Sequence, residues 1–154
     1  MQNLVNSLLT LALLVFATGG TPVLADGGGS GGGRESRLQP YQTLIDDKQY
    51  QKAIDELGKA LQKKPQDADL LNLVAYSHRQ LEDYETALDY YLQALEIKPK
   101  HRGANEYLGE LYLQMGDLEK AEQRLQVLDG ACFFGCDEYD ELKQAIEDYR
   151  RRNP

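Results

Sequence analysis

The sequence has no tryptophan, two cysteines, two histidines and no run of five like charges. Each shortage removes a class of function. A closed zinc site takes four ligands, so it would have to use both cysteines with both His78 and His101. The glycine run at 27–33 is not followed by Lys-Ser/Thr, so it is no phosphate-binding loop. Binding to nucleic acid needs a basic footprint, and the net charge here is -8. The longest apolar stretch, Leu4 to Ala17, falls short of the roughly 20 residues that span a bilayer.

That stretch (LVNSLLTLALLVFA) is followed by Gly19, Gly20 and Pro22, then by Val23-Leu24-Ala25. Small residues flanking a short uncharged run fit a cleaved export signal over residues 1–25, with the cut after Ala25. The segment MQN ahead of the run has neither Lys nor Arg, and the alternative is a retained N-terminal membrane anchor. Residues 26–36 (DGGGSGGGRES) have the composition of a flexible linker that buries no core. A periplasmic or secreted domain is the expected product.

The body of the chain repeats. Ala53, Ala87 and Ala121 recur every 34 residues, in the settings Tyr50-Gln-Lys-Ala53, Tyr84-Glu-Thr-Ala87 and Leu118-Glu-Lys-Ala121. Leu57, Tyr91 and Leu125 follow four residues on, then Ala60, Ala94 and Leu128. Pro65 and Pro99 close the first two units, and Phe133 stands at the third position. Leu70, Leu71, Val74, Ala75, His78 and Leu81 share one helical face, and so do Tyr84, Ala87, Leu88, Tyr91, Ala94 and Leu95. Small alanines at fixed places let helices approach closely, and proline beyond a helix stops it. Glu82-Asp83 and Gly116 supply the turns within hairpins.

This pattern resembles the tetratricopeptide repeat (TPR) family, whose unit is a 34-residue helix-turn-helix. The match is best over LLNLVAYSHRQLEDYETALDYYLQALEIKP and NEYLGELYLQMGDLEKAEQRL, with Leu108-Gly109, Tyr112 and Gly116-Asp117. The expected fold is all-α: three hairpins over 37–67, 68–101 and 102–135, then a capping helix over 136–154. Pro40 and Tyr41 make the first helix degenerate. The capping helix places Tyr139, Leu142, Ile146 and Tyr149 on one stripe, with Asp137 as the expected N-cap and Arg150–Arg152 facing the negative end.

Between the third hairpin and the cap lies Gly130-Ala-Cys-Phe-Phe-Gly-Cys-Asp137. In an exported protein, two cysteines this close most simply form a disulfide, Cys132–Cys136. Redox-active thiols and metal delivery are the alternatives. Closed by the disulfide, the loop is expected to display Phe133 and Phe134, with one of them plugging the junction of hairpin and helix. The loop, with Glu138-Tyr139 and Leu142, resembles the C-terminal end of small proteobacterial TPR proteins.

The resemblance implies that the first helix of each pair lines a concave face. Those positions hold Leu38, Gln39, Gln42 and Ile45; then Asp69, Asn72, Leu73, Tyr76, Arg79 and Gln80; then Gly103, Glu106, Tyr107, Glu110, Leu113 and Gln114. Tyr76 and Tyr107 are candidate anchors, or else they only pack neighbouring hairpins. Asn72 is placed to bond a peptide backbone and Arg79 to meet a carboxylate. Glu106 and Glu110 make the third repeat's side acidic, favouring a basic or polar-aromatic ligand. The family's clamp for a terminal carboxylate is absent, because Leu38, Gln42, Leu73, Gly103 and Tyr107 hold its places.

The function expected is a monomeric, non-enzymatic scaffold that binds a protein or peptide segment. No cofactor, metal or nucleic acid is expected, and no membrane contact after signal cleavage. The competing reading is a thiol-dependent redox or metal-handling factor that uses Cys132 and Cys136 and docks clients on its repeats. His78 belongs to a packing face, and His101, in an inter-repeat turn, is expected to be solvated.

Overall fold

A computed structural model describes residues 32–154; the expected signal segment and the start of the linker lie outside them. Among the described residues seven helices follow one another: α1 (Gly32–Asp46), α2 (Tyr50–Lys63), α3 (Ala68–Gln80), α4 (Tyr84–Ile97), α5 (Arg102–Gln114), α6 (Leu118–Asp129) and α7 (Asp137–Arg152). They form three hairpins, α1/α2, α3/α4 and α5/α6, with α7 laid on the last. No described helix is long and apolar enough to cross a membrane.

The turn within each hairpin is the same device repeated. Lys48, Glu82 and Gly116 hold positive φ (57°, 62° and 83°). The next residue's N–H reaches back to Leu44, His78 or Tyr112, at 2.8, 3.0 and 2.8 Å. This is the Schellman closure, in which a left-handed residue lets the chain satisfy the last carbonyls of a helix. That next residue then caps the second helix: Asp83 accepts from the Thr86 N–H and Asp117 from the Lys120 N–H. Gln49 makes no such bond.

Ala53, Ala87 and Ala121 are fully buried, which is why the 34-residue period shows most clearly in them. One core runs through the second and third hairpins into α7; a second, smaller core joins α1 and α2 to Leu70 and Val74 of α3. Leu142 and Ile146 bury α7 against the stack. Gly109 makes this possible: a Cβ there would lie 2.5 Å from a methyl of Leu142.

Four expectations about local structure change. Residues 32–36, expected as the last of the linker, form the start of α1, and Pro40 lies inside that helix. Proline removes one interior bond, and the loss is offset by burial of Leu38 and by Arg37, whose guanidinium meets Asp67 and Asp69 at 2.7 and 3.0 Å. The N-cap of α7 is Cys136, in extended conformation, with Asp137 already in the helix. His101 is not solvated but 4% exposed: its Nδ1 accepts the Ala104 N–H and its Nε2 meets Asp69 at 2.9 Å. An imidazole here does the capping that aspartate does at Asp67. Finally, neither phenylalanine plugs the α7 junction; Phe133 and Phe134 are 90% and 96% exposed.

The three C-terminal arginines divide their work. Arg152 donates to the Asp148 carbonyl, Arg151 pairs with the Asp148 carboxylate, and Arg150 crosses to Glu122 of α6 at 2.7 Å.

Candidate functional site

The first helices of the hairpins bring Gln39, Gln42, Ile45 and Asp46 of α1 to Leu73 and Tyr76 of α3 and Tyr107 of α5. Together they line an open depression of about 430 Å³. Asp46, the last residue of α1, is an addition to the expected groove residues.

The centre of the site is aromatic. The rings of Tyr76 and Tyr107 lie 4.9 Å apart at 58°, bridging α3 and α5. The Arg79 guanidinium sits 5.3 Å from the first ring and 5.6 Å from the second, and pairs with Glu110 at 2.8 Å. Both tyrosines are half-buried, and that burial pushes their hydroxyls above the usual range, so they stay neutral donors. Each ring thus offers an apolar face and a polar tip to whatever lies in the groove.

Other expected groove residues sit deeper than the surface. Leu38 is in the core beside Ala53 and Leu57. Asn72 is 6% exposed, its carboxamide oxygen unpartnered among the described residues, with its nitrogen close beneath Gly103. Arg79 is also 6% exposed and already engaged by Glu110. It supports the tyrosines rather than standing free for a ligand carboxylate.

The acidic character expected of this face is weaker than the sequence suggests. Glu106 is 2% exposed, and burial, then the neighbouring Glu141, Glu110 and Glu138, push its carboxyl up to about 9. At neutral pH it is protonated, and Glu110 is balanced by Arg79. Beside the tyrosines this leaves Asp46 as the exposed carboxylate lining the depression.

Away from the groove, the sulfurs of Cys132 and Cys136 are bonded, with Cα atoms 5.6 Å apart. A bonded pair has no thiolate to offer to a metal or to a client disulfide. His78 stacks on Tyr90 with ring centroids 5.9 Å apart and meets Asp83 at 3.0 Å, a packing and capping role. The loop displays both phenylalanines as expected, and neither of them reaches the junction.

Comparison with known proteins agrees with the repeat geometry. Two family models described as tetratricopeptide repeat match residues 42–102 and 78–146. A TPR repeat-containing protein of Borreliella burgdorferi is 30% identical over 102 residues. That alignment takes in 65% of this chain and 39% of the relative, so the chain spans about two-fifths of the relative's length. Among solved structures, the Sgt2 TPR domain from Aspergillus fumigatus superposes with a TM-score of 0.66 at 24% identity, over 77% of this chain and 78% of that one. The Yersinia enterocolitica type III secretion chaperone SycD, in complex with a peptide of the translocator YopD, gives 0.64 at 16% identity, over 81% and 98%. At these identities the structures establish the fold alone. With three alanine-marked hairpins, three identical Schellman turns and family models covering 42–146, the chain belongs to the tetratricopeptide repeat family.

Proposed function

We propose that this domain is a protein-interaction adaptor that holds an extended segment of a partner protein in its concave groove. The observation that carries the reading is the Tyr76–Tyr107 pair, held from behind by Arg79 at the centre of an open depression. Aromatic residues of this kind supply large contact area with little loss of freedom on binding. A similar fold holds a YopD peptide in SycD, which supports a peptide or protein segment as the ligand class here. With Glu106 protonated and Glu110 paired, the groove suits a polar-aromatic segment better than a strongly basic one. Asn72 lies under the groove floor and would take part only after a shift of the residues above it.

The N-terminal sequence supports action in the periplasm or outside the cell, where the Cys132–Cys136 bridge would persist. In this reading the bridge sets how α7 leaves the third hairpin, and no thiol chemistry follows from it. The groove residues take the roles of anchor (Tyr76, Tyr107), support (Arg79, Glu110) and wall (Leu73, Ile45).

The test is affinity capture from periplasmic or secreted extract, comparing the natural chain with the Tyr76→Ala/Tyr107→Ala double variant. Loss of the captured partner by tenfold or more, at unchanged helical content, is the expected result. Undiminished capture by the double variant would remove the groove assignment.

A further inference from the structure

The three turns that join one unit to the next lie along a single edge of the stack. Arg37 of α1 reaches Asp67 and Asp69 at the first turn, at 2.7 and 3.0 Å; Asp69 reaches His101 at the second, at 2.9 Å. Lys100 then donates to the Gly130 carbonyl at the third, at 3.5 Å. Because α1 begins at this end, the residues preceding Gly32 join the fold on the same edge as the disulfide loop, two units away from it. The within-hairpin turns, with Leu81 and Met115, occupy the opposite edge.

The third turn displays Phe133 and Phe134, 90% and 96% exposed, with rings edge to face at 5.1 Å. The Cys132–Cys136 bridge closes the loop at its base. Two aromatic rings kept in water are unfavourable by an amount that any apolar environment would recover. The neighbouring turns hold Lys63, Lys64, Lys98 and Lys100 in solvent. None of the four forms an ion pair with a described residue.

We propose that this edge docks on a phospholipid bilayer, with Phe133 and Phe134 among the headgroups and the lysines of the two neighbouring turns toward lipid phosphates. A bilayer is favoured over a protein pocket by where the chain enters. Fourteen residues, Thr18 to Gly31, separate Gly32 from the apolar run Leu4–Ala17. Where the run is retained as an anchor, these residues, at no more than about 3.5 Å each, keep the start of α1 within about 50 Å of the membrane. Such proximity raises the effective concentration of lipid, so a two-ring insertion of modest affinity suffices. Asp129, Asp137 and Asp140 flank the loop and are exposed, so insertion rests on the rings, and the lysines add a salt-sensitive part. Docking by the edge leaves the concave face open, and it replaces the expectation that the folded domain has no membrane contact. It does not depend on what the groove holds.

The chain has no tryptophan, so Phe134→Trp in the full chain places a single reporter at the loop tip. The same chain with Met115→Trp instead reports on the opposite edge. With vesicles of phosphatidylcholine and phosphatidylglycerol, the loop reporter is expected to shift to the blue and be quenched by brominated lipid, while the opposite reporter does neither. Adding Phe133→Ser to the loop-reporter chain should move its insertion equilibrium about tenfold toward water. Glutamate at Lys98 and Lys100 should lower insertion several-fold on anionic vesicles, with little change on pure phosphatidylcholine. A loop reporter unmoved by vesicles, or both reporters moving alike, overturns the proposal. So does a Phe133→Ser chain that inserts as well as its parent.

Discussion

The two ends of the stack are built from the same repeat but secured differently. At the N-terminal end, α1 contains Pro40, its turn uses Lys48 in the left-handed conformation, and Gln49 leaves the start of α2 without a side-chain cap. At the C-terminal end the equivalent turn uses Gly116, Asp117 caps α6, and α7 presses Leu142 against Gly109. A left-handed residue other than glycine costs about 1 kcal/mol, and a missing cap costs about as much. The last hairpin thus has a good turn, a good cap and a cover. The first relies on Arg37 and a small core. In a stack where each unit touches only its neighbours, such differences decide which end opens first.

Three measurements would break or sharpen this contrast. The largest effect is expected from Leu142→Ala, because the side chain is fully buried and α5 meets α7 there. A loss of about 3 kcal/mol in denaturant unfolding should accompany it, with amide protection in α7 falling before that in α3 and α4. Unchanged protection in α7 would mean that the helix is held mainly by the bridge.

Glu106 gives the second, through pH. Its carboxyl is raised to about 9 in the folded state, against about 4.3 when unfolded. The folded chain therefore holds the extra proton between those values. The stabilisation is complete below about pH 4 and disappears as pH rises toward about 9. Glu106→Gln removes that dependence. The variant should match the parent in acid and exceed it by a margin that grows steadily as pH rises from about 4.3 toward about 8. Melting curves that stay parallel from pH 4 to pH 8, within about 0.5 kcal/mol, would show that Glu106 is ionised in the fold.

The smallest effect tests the weak end itself. Gln49→Asp supplies the cap that Asp83 and Asp117 give the other hairpins. It should raise stability by about 1 kcal/mol and slow amide exchange in α2. An unchanged α2 would indicate that its start is limited by the Lys48 turn and not by the absent cap.

How much of this was readable beforehand follows from which interactions are local. The 34-residue spacing of Ala53, Ala87 and Ala121 revealed the hairpins, because close helix packing tolerates little beyond a methyl group. The turns at Glu82-Asp83 and Gly116-Asp117 were readable for the same reason: left-handed backbone and capping involve neighbours in sequence. The aromatic centre was half readable. The family resemblance put Tyr76 and Tyr107 on the inner face, but the Arg79 guanidinium lying against both rings depends on where α5 meets α3.

The sequence by itself determined the repeat, the helix order, the capping helix and the placing of its two cysteines in one short loop. Those follow from spacing and from residues close in sequence. Only the tertiary structure decided that His101 is buried as a cap against Asp69, that Glu106 is a neutral acid, and that neither Phe133 nor Phe134 packs into the α7 junction. Burial and charge at such positions are set by side chains some 30 residues away, on helices whose angle of approach no local pattern encodes.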